Sequence, residues 1–174
     1  LGMVLVERHI VTGMIGAEIG HCYGHHFSDP LARLAFQRAL AQLDAAPGTM
    51  IYGNTTAYRG TPPANFASLA NYLLVDAAGQ ASQPTGHAIN AVPVTENERI
   101  PEIEEVIEAQ LFAGRMAELA PGWLAMIDPG PVDALAARIV DGGRAFAAAT
   151  LRGLEEAGVD MTCAFQMLLA LRRM

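Results

Sequence analysis

Three times along this chain a short apolar run breaks at a polar loop and restarts as a longer helical pattern. The clearest instance includes Asn90 to Glu105, NAVPVTENERIPEIEE. His87 to Val94 reads as a buried strand that ends at Thr95. A helix restarts after Pro101, with Glu102, Glu104 and Glu105 near its positive amino end. Glu96, Asn97, Glu98 and Arg99 fall on the loop at the carboxyl end of that strand. Before it, Thr49 to Gly53 reads as a strand, Asn54 to Pro63 as a long polar loop, and Ala64 to Gln80 as a helix. Earlier still, Gly16 to Gly24 passes from a strand end into the loop His25-His26-Phe27-Ser28. A helix then starts at Asp29-Pro30, capped by Ser28 or Asp29, and Asp44 to Gly48 closes it. Strand-helix alternation of this kind implies a parallel sheet with right-handed crossovers. Such sheets handle ligands at the carboxyl ends of their strands. Three units fit a piece of an eight-stranded barrel, or half of a doubly wound sheet.

The flanks are less specific. Met3 to Ile15 is ambiguous between a helix and a buried strand. Ile103 to Leu119 predicts a helix stopped by Ala120-Pro121-Gly122, and Pro129-Gly130-Pro131 predicts a second break. Val132 to Val140, Arg144 to Glu156 and Met161 to Arg173 then form a helical tail. With 174 residues the expectation is one domain over 1–174, divided into βα units over 1–119 and a helical tail over 120–174. The absence of an initiator Met at Leu1, and the small number of strands, lead us to expect a fragment of a longer protein.

Composition narrows the function classes. A net charge of -7 opposes a general nucleic-acid surface, since its eleven basic residues are scattered and form no run. No apolar run reaches the length of a membrane span, and the first residues carry neither a basic start nor a cleavage site. Cys22 and Cys163 are far apart and make no disulfide framework, so a reducing, cytoplasmic setting is expected.

Several residue groups could carry chemistry. His21, Cys22, His25 and His26 lie close together and are possible metal ligands, although their spacing matches no zinc motif and only His87 lies downstream. Cys22 beside a histidine is also a possible nucleophile, although adjacent residues rarely face each other. Glu96 and Glu98 could pair as carboxylates, or be a solvated loop with Glu98 beside Arg99. Tyr58 and Arg59 could stack on or clamp a ligand, or be structural. The glycines Gly13, Gly16 and Gly20 are wrongly spaced for a dinucleotide fingerprint, and no phosphate-loop pattern occurs.

The order IYGNTTAYRG, NFASLANYLL and VTENERIPEIEEVIEAQLFAGRM resembles the carboxyl-terminal half of the large (epsilon) catalytic subunit of glutamate mutase, or methylaspartate mutase. GHCYGHHFSDPLARLAFQRAL is similar to the family's preceding strand-loop-helix unit. The likeness runs to about Leu119. It implies a (β/α)8 barrel of TIM type, of which this chain would hold the last three or so βα units and a helical tail. It implies adenosylcobalamin as cofactor, L-glutamate as substrate, and a radical rearrangement to (2S,3S)-3-methylaspartate. It also implies a small cobalamin-binding subunit as partner, in a heterotetramer. The cofactor supplies the radical chemistry and the protein positions and shields it.

By this resemblance Tyr58 stands where the family has a phenylalanine touching the cofactor. Glu96 matches a glutamate that hydrogen-bonds the adenosyl ribose, and Ile100 matches an apolar contact four residues on. Val92 falls where the family has a lysine beside the adenosyl group. This chain contains no lysine, so Arg59 or Arg99 would fill that role, or the longer linker Ala81 to Gly86 displaces the match. The family's arginines that grip the substrate belong to the earlier half of the barrel, so the resemblance assigns no catalytic residue and no metal ligand here. Two other readings stay open. One is a metal-dependent barrel hydrolase using His21 to His26. The other is a non-catalytic paralogue, kept alive by the missing lysine.

Overall fold

The computed structural model describes residues 1–24, 29–43, 46, 48–53 and 58–173. The elements in order are α1 (Gly2–Arg8), β1 (Cys22–Tyr23), α2 (Pro30–Leu43), β2 (Met50–Tyr52), α3 (Pro62–Ser82), β3 (Ala88–Asn90), α4 (Ile103–Leu124), α5 (Pro129–Glu156) and α6 (Ala164–Leu171). The fold is mixed α/β and mostly helical, around a small parallel sheet. The chain divides into two compact units, Gly20–Ala136 and Leu1–Ile19 with Ala137–Met174.

In the first unit the strands lie in the order β1-β2-β3, all parallel. Cys22 pairs with Met50 and Met50 with Ala88; two residues on, Tyr52 pairs with Asn90. Side chains alternate across a sheet. Tyr23 and Ile51 therefore share one face, and both are buried. Helices α2 and α3 lie on that face: Tyr23 packs on Phe36 of α2 with ring centroids 5.2 Å apart. Ile89 packs beside Leu73 and Leu74 of α3. Cys22, Met50 and Ala88 occupy the opposite face and are exposed.

Helix starts follow the sequence signals. Asp29 accepts a hydrogen bond from the Ala32 N–H at 2.7 Å and caps α2. Glu102 and Glu105 form a reciprocal capping box at the start of α4. The break at Pro129-Gly130-Pro131 falls where one helix gives way to the next, but the expected stop at Ala120-Pro121-Gly122 and the gap at Asp141-Gly142-Gly143 do not occur. Helix α4 does not stop at Ala120 but runs through Pro121 to Leu124. Ala120 and Trp123 pack against Ala77 and Ala78 of α3, and that packing carries the helix past the single N–H that proline lacks. Helix α5 is continuous from Pro129 to Glu156, where two helices flanking Asp141-Gly142-Gly143 were expected. Pro129 and Pro131 sit in its first turn, where a missing N–H costs nothing.

The expected strand His87 to Val94 is only Ala88–Asn90. The reason is visible in the next four residues, whose backbone is bonded to side chains. Tyr58 donates to the Val92 carbonyl at 3.0 Å, and the Val92 N–H donates to the Tyr72 hydroxyl at 3.2 Å. Asn65 donates to the Val94 carbonyl and Gln110 to the Ala91 carbonyl. Pro93 has no N–H to add to a ladder.

The second unit is helical. Gly2–Arg8 continues as a π-helical stretch His9–Ile15, which resolves the ambiguity of that segment. Gly16 ends it at φ 78°, a left-handed cap that glycine adopts without strain. Val6 and Ile10 pack with Ala147, Leu154 and Met167 to form this unit's core. No helix among the described residues is long and apolar enough to cross a membrane.

Candidate functional site

The carboxyl edge of the sheet rests on a buried polar network that begins with Arg33. Its side chain is 1% exposed and Asp76 is fully buried. Arg33 donates from Nε to Asp76 Oδ1 at 2.6 Å and from Nη2 to Oδ2 at 2.7 Å. It also donates to the carbonyl oxygens of Gly24 at 2.7 Å and Tyr52 at 2.8 Å, which lie at the ends of β1 and β2. One guanidinium thus ties α2 to α3 and clamps two strand ends. A planar fork with fixed donors suits this task; an ammonium would not span it. Gln37, one turn after Arg33, adds a third donor to Asp76 at 2.7 Å. Burial pushes the Asp76 carboxyl up, and the bonds from Arg33 and Gln37 oppose that rise.

Tyrosines extend the network. The Arg33 guanidinium lies 5.0 Å from the Tyr72 ring centroid. Tyr72 and Tyr58 share a hydroxyl–hydroxyl bond of 2.8 Å. Burial pushes Tyr72 up to about 12 and holds Tyr23 and Tyr58 well above the ordinary phenol range. These phenols are neutral at physiological pH and serve as fixed donors and acceptors. Tyr23 and His87 meet at 3.3 Å, joining the first strand to the start of the third. Two glycines make room for this edge. Gly24 has φ 105°, and a Cβ there would meet the Tyr52 carbonyl. A Cβ at Gly53 would overlap the Tyr72 hydroxyl.

The residues expected from the resemblance divide sharply. Tyr58 and Val92 are 1% and 2% exposed and lie in one core cluster with Leu69, Tyr72 and Leu73. Ile100 is 90% exposed. Glu96 is half-buried on the turn after β3, where its N–H donates to the Pro93 carbonyl at 3.1 Å. Asn97 ties the same turn to the Tyr58 carbonyl at 3.2 Å. Arg99 is paired with Glu105, and Arg59 and Glu98 are exposed.

Burial raises the Tyr52 phenol above its ordinary range, and the charges of Glu96 and Cys22 add to the rise. Tyr52 is half-buried and packs against the cluster that contains Tyr58 and Val92. Its register partner Asn90 is also half-buried and occupies the same sheet face. Tyr52 and Asn90 thus place a phenol beside an amide at the carboxyl ends of two adjacent strands, and Glu96 lies on the turn that follows β3. Such a set bonds hydroxyl and amine groups well.

Among the described residues no group of three histidine, cysteine or acidic side chains could hold a metal ion. His25 and His26 lie outside the described residues. The His21 N–H donates to Thr49 Oγ1, and His87 is buried. A cleft of about 200 Å³ lies between the starts of α3 and α4, lined by Pro62, Phe66, Val94, Thr95 and Glu105 among others. That is below the roughly 300–1,000 Å³ usual for a ligand pocket.

Arg33, Gln37 and Asp76 were missed by sequence reasoning, although a signal existed. Arg33 and Gln37 are one helical turn apart between apolar neighbours, and Asp76 interrupts LLVDAA, a run that is otherwise apolar. A charge on a core face needs a partner. Comparison of the chain with protein-family models, curated proteins and solved structures yields no match.

Proposed function

We propose that this chain supplies part of the barrel of an adenosylcobalamin-dependent carbon-skeleton mutase that interconverts L-glutamate and (2S,3S)-3-methylaspartate, acting with a small cobalamin-binding subunit in a heterotetramer. The resemblance motivates this reading. The observation that carries it is Glu96, half-buried on the turn that follows the carboxyl end of β3 in a parallel sheet. Parallel sheets occur almost only with both faces covered. Here α2 and α3 cover one face, while Cys22, Met50 and Ala88 stand exposed on the other. Further strands closing a (β/α)8 barrel would enclose that second face.

The residues present fit the adenosyl end of such a cofactor. Glu96 is a carboxylate that can accept hydrogen bonds from two adjacent ribose hydroxyls. Arg33 is committed to Asp76 and two carbonyls, so this edge is suited to a neutral hydroxyl-bearing group. When bound, the cofactor supplies hydrogen-abstracting radical chemistry. This chain's part is to bind and orient. Arg33 and the Tyr58–Tyr72 pair hold the strand ends rigid, and Glu96 presents its carboxylate from the turn they anchor.

The test uses the protein coexpressed with its small partner, mixed anaerobically with adenosylcobalamin and L-glutamate. The expected result is a substrate-dependent paramagnetic cobalt signal, weakened in Glu96→Ala. A signal with another amino acid and not with glutamate changes the substrate and keeps the mechanism. A folded complex that binds the cofactor and gives no signal with any candidate sinks the mutase reading in favour of a non-catalytic role.

A further inference from the structure

We propose that the outward face of α4 is a self-association surface, on which the helix pairs antiparallel with α4 of a second copy of this chain. The inference goes beyond the mutase reading and holds whatever reaction the protein carries out.

Helix α4 is apolar on two faces. Ala109, Phe112, Ala113 and Met116 pack into the cluster that holds Leu69, Tyr72 and Leu73 of α3. Ile103, Ile107 and Leu111 recur at every fourth residue and form a stripe on the other side of the helix. They are 64%, 52% and 72% exposed. A helix that is apolar all round is a buried helix. A contiguous apolar stripe left open on one therefore marks a contact surface. Gly114 continues the stripe, and a Cβ there would meet nothing within 4 Å.

Charge identifies what covers the stripe. Glu104 and Arg115 flank the same edge of it, eleven residues apart, which is about three helical turns. Both are exposed, and Arg115 pairs within the chain only with the equally exposed Glu118. Two copies of α4 can run antiparallel with Ile107 of each level with Leu111 of the other. Glu104 of each copy then comes level with Arg115 of the other, and Ile103 faces the space over Gly114. A two-fold axis repeats every contact, so one stripe supplies both halves of the interface. A parallel pair would set Glu104 against Glu104 and Arg115 against Arg115, which repel. A partner with a single sign of charge would meet an unmatched charge at one end of the stripe.

The experiment is sedimentation equilibrium of the protein over a range of concentrations, without the small subunit. A reversible two-copy particle is expected. Ile107→Glu should raise its dissociation constant at least about tenfold, because a charge then lies at the centre of the contact. Glu104→Arg and Arg115→Glu should each weaken it about three- to tenfold through like-charge contacts. The double variant, Glu104→Arg with Arg115→Glu, should restore the wild-type value. Circular dichroism checks each variant for folding, and the rescue separates an effect on pairing from an effect on folding. A single-copy particle at every concentration overturns the proposal. So does a two-copy particle indifferent to Ile107→Glu, which another face would hold together. A double variant no tighter than the single ones overturns the antiparallel register, and the proposal with it.

Discussion

Two arginine–carboxylate pairs sit within one unit of this molecule and do different work. Arg33 and Asp76 are 1% and 0% exposed, from neighbouring helices. Arg99 and Glu105 are 50% and 24% exposed, at the start of α4. Both are forked: Arg99 donates to both Glu105 oxygens at 2.9 Å, much as Arg33 does to Asp76. The chemistry is alike and the depth is not. In the core neither partner can find water, so each is indispensable to the other. At the surface water replaces a lost partner, and the pair contributes little. The buried pair is fastened to the strand ends, and everything at the carboxyl edge takes its position from it.

The largest test of this contrast breaks the buried pair. Asp76→Ala leaves Arg33 as an uncompensated charge and should cost about 3–5 kcal/mol in urea denaturation. Removing both charges together, as Arg33→Met with Asp76→Leu, should cost less than the single Asp76→Ala change. An additive double variant would mean that the two residues act independently, against the geometry. The double variant also removes the clamps on Gly24 and Tyr52, so it should weaken binding at Glu96 even where it restores stability.

A middle-sized test separates the clamp from the tyrosine pair beside it. Tyr58→Phe removes the donor to the Val92 carbonyl and a partner of the Tyr72 hydroxyl, both buried. We expect a loss of about 1–3 kcal/mol, read from the same denaturation experiment. Gly53→Ala should cost about as much, because its Cβ would overlap the Tyr72 hydroxyl. A neutral outcome at both positions would show that the edge is softer than its hydrogen bonds imply.

The two pairs also show what was legible in the sequence. The surface pair lies inside a strong local pattern: Glu102 and Glu105 are three apart before an apolar run, a spacing that itself predicts a helix start. Strand-helix order, the Asp29-Pro30 start and the polar loop after Asn90 were legible for the same reason, since each is fixed by neighbours in sequence. Arg33 and Asp76 are 43 residues apart. Only packing two helices on one sheet face brings them together, and no local period records it. Tyr58 and Val92 illustrate the converse. Their place in the quoted stretches suggested cofactor contact, while their burial follows from packing on Tyr72 and Leu69, contacts that no local pattern records. The shortness of β3 and the run of α4 through Pro121 have the same cause, because tertiary bonds and packing overrode local signals.

The smallest expected effect is at the surface pair, where pH sharpens the comparison. The Glu105 carboxyl is held below its usual range, first by the Glu102 N–H it accepts at 2.7 Å, and then by Arg99 and Thr95. A carboxylate with a depressed folded value stabilises the fold above its unfolded value. That contribution disappears as pH falls through the lower folded value. Titration of the Glu105 carboxyl by NMR should therefore show a midpoint below the roughly 4.3 of a free glutamate, with the Glu102 amide shift moving in step. Arg99→Ala should bring the midpoint only part of the way back, because the cap outweighs the ion pair. Its effect on the denaturation midpoint should be smaller than that of Tyr58→Phe. Full recovery of the ordinary value in Arg99→Ala would mean that the ion pair dominates, and the surface pair would then resemble the buried one more closely than its exposure implies.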